Sequence, residues 1–94
     1  MIEELKRAVS MVDVVTHYGV DVPYYATGWT SILCPFHPDT NPSASINMDE
    51  DRFKCFVCDV SGDILDVVQQ AENLEDVKTA MKWITENILF EDGQ

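Results

Sequence analysis

The decisive stretch of this chain is CPFHPDTNPS (residues 34–43), answered further on by CFVC (residues 55–58). Together they give the spacing Cys34-x2-His37-x17-Cys55-x2-Cys58. Two short-spaced ligand pairs separated by some 15–20 residues match a zinc site. Two ligands three positions apart fit a tight turn whose sulfur and imidazole converge on one ion. The intervening residues then form a hairpin that returns the second turn beside the first. Three thiolates and one neutral imidazole close a tetrahedron with no position left for water, the arrangement of a single structural Zn2+. A Rieske iron–sulfur centre requires two histidines, and the second histidine, His17, lies far upstream in a helical segment near Gly19. A catalytic cysteine with His37 as base leaves the Cys55/Cys58 pair unexplained, and so does a reading of all three cysteines as ordinary buried residues. The metal is expected to hold the middle of the chain together, so a strong chelator is expected to unfold residues 29–60.

The rest of the composition is consistent with this. All three cysteines of the 94 residues lie in the two motifs, and an odd count is awkward for a disulfide framework. No apolar run approaches the roughly 20 residues of a membrane span. The start, MIEELKRAV, lacks the pattern of a signal peptide. A cytoplasmic protein with no membrane partner is expected. Seventeen acids against six bases give a net charge of −11, which argues against non-specific attraction of the whole surface to nucleic acid.

Around the motifs the chain reads as one α+β domain over 1–94. Apolar residues at Ile2, Leu5, Ala8, Val9, Val12 and Val15 follow helical spacing. Ser10 with Asp13 resembles a capping box, so this segment is one bent helix or two short ones, and Gly19 is a stop signal. WTSILC and SASIN are short and β-favourable, MDED (48–51) supplies an acidic turn, and RFKCFV returns as a third strand. Ser61 is the expected N-cap of the next helix, with Asp63 in its first turn. Asn73 is expected to cap a further helix whose stripe is Leu74, Val77, Met81, Ile84 and Ile88. The expected architecture is a small zinc ribbon, a short antiparallel sheet, flanked by an N-terminal helix and two C-terminal helices.

LCPFHPDTNPSASI followed by FKCFVCDVSGDILDVV resembles the zinc-binding domain of bacterial and phage DnaG-like DNA primases. That pattern runs Cys-Pro-Phe-His, an acidic residue, Pro-Ser, then Cys-Phe-x-Cys and Gly-Asp opening a helix. It is met at Cys34, Pro35, Phe36, His37, Asp39, Pro42, Ser43, Cys55, Phe56, Cys58, Gly62 and Asp63. The resemblance implies a module that helps a primase engage single-stranded DNA template and begin primers during DNA replication. The partners it implies are the template, bound weakly by this chain alone, and a primase polymerase domain or other replisome proteins. It implies no catalytic residue here, because primer synthesis resides in a separate polymerase domain that nothing in these 94 residues resembles.

The chain departs from the family pattern in places. Val57 and Asp59 stand where glycines are usual, Ala44 where a phenylalanine is, Thr40 where a lysine is, and Asn41 where a threonine is. The segment before Cys34, commonly basic in the family, has no base in PYYATGWTS. The residues left for nucleic acid on this strand are Arg52, Phe53 and Lys54; the two bases alternate with Phe53 and so share a strand face. Trp29 on a neighbouring strand, with Tyr25 or Tyr24, would provide stacking surfaces. Alternatively Trp29 and Phe53 belong to the core and the two bases merely offset the acidic turn. The other functional reading is a stand-alone phage or mobile-element zinc ribbon that binds or inhibits a replication protein through its acidic helices.

Overall fold

A computed structural model describes residues 2–23, 27–38 and 41–89. Two short helices, α1 (Ile2–Ala8) and α2 (Met11–His17), lead into a sheet of strands β1 (Trp29–Ile32), β2 (Ala44–Asn47), β3 (Arg52–Cys55) and β4 (Ser61–Gly62). Helices α3 (Ile64–Glu72) and α4 (Val77–Ile84) follow, and α4 runs on into a π-helical turn, Thr85–Leu89. The class is α+β, as the sequence implies, and of the two readings of the N-terminal segment the structure has two short helices.

The break between α1 and α2 is a built capping box. Ser10 Oγ accepts the Asp13 N–H at 3.2 Å, and the Asp13 carboxylate accepts the Ser10 N–H at 2.9 Å. At the other end of α2, Gly19 (φ +98°) and Val20 donate back to Thr16 and Val15, satisfying carbonyls that the helix leaves open.

The four strands form an antiparallel meander in the order β1-β2-β3-β4, with Trp29 opposite Asn47, Ala44 opposite Cys55, and Lys54 opposite both Ser45 and Ser61. One face is core. Ile32, Ala44, Ile46 and Phe53 are each at most 5% exposed and pack with Met11, Val14 and Val15 of α2 and with Ile64, Leu65, Val67 and Val68 of α3. The acidic turn between β2 and β3 has defined partners. Asn47 Oδ1 accepts the N–H groups of Asp49 and Glu50, and Asp51 (φ +53°) accepts the Met11 N–H at 3.1 Å, tying the hairpin to the start of α2.

Three details differ from expectation. The sheet has a fourth strand, and it contains Ser61, so Ser61 does not cap α3. Asp63 does. It accepts the Asp66 N–H at 2.9 Å while Asp66 accepts the Asp63 N–H at 3.1 Å, and Lys6 adds an ion pair to the same carboxylate at 2.7 Å. The carboxylate is preferred here because it serves two donors, the Asp66 N–H and the Lys6 ammonium, at a helix N-terminus. Asn73 is the left-handed C-cap of α3 (φ +57°), and Asp76 caps α4 through the Thr79 N–H. On α4, Ala80 and Ile84 are the fully buried positions, whereas Val77 is 37% exposed.

Gly62 shows why a glycine precedes the cap. Its φ is +123°, and a Cβ there would lie 2.5 Å from Asp66 Cβ. The residue has to be small for the capping box to close against it.

Candidate metal centre

Each ligand pair sits on a turn at the end of a strand. Cys34 and His37 follow β1, while Cys55 is the last residue of β3 and Cys58 lies in the turn after it. Because β2 pairs with both, the meander sets the two turns side by side. The sulfurs of Cys34, Cys55 and Cys58 and a ring nitrogen of His37 all lie within 4.8 Å of one another. Cys34 Sγ is 3.6 Å from Cys58 Sγ, and His37 Nε2 is 3.3 Å from Cys55 Sγ. A tetrahedral site with Zn–S of about 2.3 Å and Zn–N of about 2.0 Å implies donor–donor edges of roughly 3.5–3.8 Å. The four donors therefore fit one zinc ion, and the soft set of three sulfurs and one nitrogen selects it.

The surroundings supply the supporting contacts such a centre needs. The N–H of Phe36 points at Cys34 Sγ and that of Val57 at Cys55 Sγ, both at 3.4 Å. Two residues past the first cysteine of each pair, these donors stabilise sulfur in its anionic form. His37 Nδ1 is 2.7 Å from the Pro38 carbonyl, which holds the proton on Nδ1 and leaves Nε2 as the ligand nitrogen. Ser43 Oγ lies 3.2 Å from His37 Nε2 and 3.6 Å from Cys55 Sγ.

The protein's own field treats the cysteines unequally. Burial pushes the Cys34 thiol up to about 12, and the neighbouring Cys55 and Cys58 sulfurs add to this against the opposing N–H of Phe36. At Cys55 burial also acts upward, but it is outweighed by the Cys58 and Val57 N–H groups, the Ser43 hydroxyl and His37, which bring it to about 6. One thiolate is thus preformed and another requires the metal's charge, so binding releases protons.

Phe36 packs beneath the first turn. Its ring meets Tyr18 at 5.0 Å and Phe53 at 5.5 Å, both edge-on, which joins the metal turn to α2 and to the core. Tyr18 in turn donates to Glu72 at 2.6 Å. His17 is outside the centre, at the end of α2 against Trp83.

The sheet's other face is open. Strand alternation places Trp29, Arg52 and Lys54 on it, and Phe56 lies beyond Lys54 on the same side. Trp29 is 48% and Phe56 72% exposed, and Lys54 Nζ sits 4.7 Å from the Trp29 ring centroid and 5.2 Å from that of Phe56. One ammonium thus lies between two aromatic faces. Trp29 is one strand further from Lys54 than the sequence reading had it, since β2 runs between β1 and β3; the long lysine stem spans the gap.

Phe53 is a correction. At 1% exposure it is a core residue and presents no ring to a base. Tyr24, Tyr25 and Thr40 lie outside the described residues. Ala44 is buried on the core face at 2% exposure, so the ring missing at this position is missing from the core and not from the open face. Phe56 is an exposed ring beside this face that the sequence analysis does not single out. An aromatic residue between two cysteines that both turn toward a metal has little choice but to face outward, and that signal was present in CFVC.

A compact antiparallel sheet carrying a Cys3His centre on two paired turns is a zinc ribbon. The family model for the CHC2 zinc finger matches residues 1–91. The chain belongs to that family. Among its relatives are the DNA primase of Mycoplasma genitalium, 36% identical over 81 residues, and that of Aquifex aeolicus, 33% identical over 81 residues. Each match covers 86% of this chain but only 13% and 16% of the respective primase. The Gene 58 protein of Mycobacterium phage D29 is 33% identical over 69 residues, covering 71% of this chain and 54% of that protein. A crystal structure of the Aquifex aeolicus primase, comprising zinc binding and RNA polymerase domains, superposes with a TM-score of 0.66 at 31% identity. That match covers 92% of this chain and 21% of the other. Among the described residues, no helix is long and apolar enough to cross a membrane.

Proposed function

We propose that this chain is a primase-type zinc module whose open sheet face binds single-stranded DNA template, acting with a polymerase domain that performs primer synthesis. The observation that carries the reading is the Trp29–Lys54–Phe56 arrangement, with Arg52 beside it on the same strand face. Exposed rings accept unstacked bases without regard to sequence, and the adjacent cations meet phosphates. A duplex, whose bases are already stacked, offers such rings nothing comparable. Zinc supports this from behind, because the turn that carries Phe56 is held at both ends by ligand cysteines.

The test is fluorescence titration of the zinc-loaded chain with a short oligothymidine, in parallel with a duplex of equal length. Base–aromatic stacking contributes about 1–3 kcal/mol per base, so Phe56→Ala and Trp29→Ala should each weaken single-strand binding by roughly 5- to 150-fold. Both variants leave the core untouched. Equal affinity of wild type and both variants, or a preference for duplex, would refute the reading.

A second reading has one specific observation behind it. In the phage D29 relative the matched segment makes up over half of the protein, so a module of this kind also occurs in a chain far shorter, in proportion, than a primase. Val57, 65% exposed at the tip of the second turn, suits contact with a protein surface. On this reading the chain binds a replication protein, and the oligothymidine titration shows no binding.

A further inference from the structure

The four ligands differ in how well their electrons are protected. Cys34 and Cys55 are each 4% exposed and each receives a backbone N–H, from Phe36 and Val57 respectively. Cys55 is further covered by Ser43 and His37. Cys58 is partly exposed, and among the described residues its sulfur receives no N–H or O–H donor. A sulfur that is reachable and lacks N–H and O–H donors is the better nucleophile, and access with thiolate character decides which cysteine is oxidised. The partner for a second step is already in place, with Cys34 Sγ 3.6 Å away on the opposite turn.

We infer that Cys58 is the oxidation-sensitive member of the metal set, and that hydrogen peroxide joins it to Cys34 in a disulfide across the two turns, expelling the ion. Zn2+ has no accessible redox change, so both electrons come from sulfur. In the first step the Cys58 thiolate attacks one peroxide oxygen. The S–O bond forms, the O–O bond breaks, and hydroxide leaves as water after protonation. In the second step the Cys34 thiolate attacks the resulting sulfenic sulfur, so that the S–S bond forms and the S–O bond breaks. A second hydroxide leaves as water. Two thiolates are oxidised by two electrons and one peroxide is reduced to two waters. With two of its four donors gone, the site no longer closes around the ion.

The disulfide would link the turns that follow β1 and β3, at the same end of the sheet that the metal ligands occupy. The oxidised chain therefore keeps its two turns together in the absence of zinc. The lesion is reversible by thiol exchange, in contrast to over-oxidation to sulfinic acid.

The experiment exposes the zinc-loaded full chain to hydrogen peroxide, follows Zn2+ with a chromogenic chelator, and maps disulfides by non-reducing peptide mass spectrometry. The expected result is stoichiometric zinc release in step with a Cys34–Cys58 cross-linked peptide, reversed by a dithiol and added zinc. Cys58→Ser removes a ligand and is liable to lose the metal outright. Cys58→His keeps a nitrogen donor, and it should retain zinc while slowing peroxide-driven release at least about tenfold. A Cys55–Cys58 or Cys34–Cys55 peptide as the main product, sulfinic acid without a disulfide, or equal release from Cys58→His and the wild type would each overturn the inference.

Discussion

Salt dependence is where the composition and the sheet face make opposing demands on DNA binding. Two cations, Arg52 and Lys54, lie on the open face, while the whole chain carries −11. Each phosphate neutralised on a single strand contributes about −0.7 to the slope of log K against log salt, so two cations give at most about −1.4. Between about 50 and 200 mM salt the affinity should then fall roughly sevenfold. At lower salt the acids intervene. The molecule measures 34 × 29 × 24 Å, whereas the Debye length grows from about 8 Å at 0.15 M to about 30 Å at 0.01 M. In 0.15 M salt a phosphate on the sheet face senses mainly its immediate neighbours. At 0.01 M it senses the entire net charge. The expected plot therefore flattens or turns over near the low-salt end instead of rising along a straight line. Lys54→Ala should halve the limb above 50 mM to a slope of about −0.7, which is roughly a 2.5-fold loss over the same range. Oligothymidine titrations at five or six salt concentrations measure this directly. A linear slope steeper than about −3 down to the lowest salt would mean that more cations are engaged than the face contains, and the assignment of the face would fall.

Two further outcomes test the scaffold. Stripping the metal should affect more than residues 29–60, because Ile32, Ile46 and Phe53 belong to the same core cluster as the helices. Losing three such side chains from a shared core forfeits about 1.5–3 kcal/mol each, comparable to the whole stability of a small domain. Near-UV circular dichroism and the emission of Trp83, on α4, should therefore change together on chelation, and a melting temperature unaffected by chelator would remove the structural role of the metal. The second outcome concerns acid. Burial works against the Asp63 carboxylate, but its bonds to Lys6 and the Asp66 N–H prevail and hold its pKa below the usual carboxylate range. A depressed folded-state value adds stability above the unfolded pKa of about 3.9, and that stability is lost as pH falls through the folded value. Lys6→Ala should cost about 0.5–1 kcal/mol at pH 7, since the lysine is partly exposed, and should show a smaller loss of stability on acidification below pH 4 than the wild type. Parallel urea melts of the two proteins at pH 7 and pH 3 would expose an error as identical stability differences at both.

The metal ligands were legible because their chemistry tolerates no substitutes: three cysteines and a histidine at fixed spacing admit few other uses. The Ser10 capping box was legible for a similar reason, since it is local and is completed within four residues. What eluded sequence reasoning depended on competition between neighbours. Ser61 and Asp63 are both acceptable caps, and the choice between them was made by β4, which recruits Ser61 opposite Lys54, and by Lys6, which arrives from a helix 57 residues upstream. Asn73 and Asp76 posed the same ambiguity, and it is settled by Asn73 adopting the left-handed conformation at the end of α3. The aromatic residues were hardest. Phe53 and Phe56 lie three positions apart on one strand and its turn, yet one is 1% and the other 72% exposed. Alternation alone would have separated them, had Phe53 been assigned the inward phase that Cys55 requires.

That phase is what connects the centre to the face. Cys55 is turned inward to reach the metal, which forces Lys54 and Phe56 outward and Phe53 inward by the two-residue period of a strand. On β2 the same register puts Ala44 against Cys55 and Ile46 against Phe53, both in the core, and leaves Ser45 opposite Lys54 on the open side. A one-residue slip of β3 would bury Lys54, expose Phe53 and withdraw a ligand sulfur in a single step. Ligand placement and core burial call for the same strand register, and the register decides which side chains face solvent. This explains how a chain of net charge −11 presents a small cationic and aromatic surface without any surplus of bases: the two bases on β3 are placed by the cysteine that follows them.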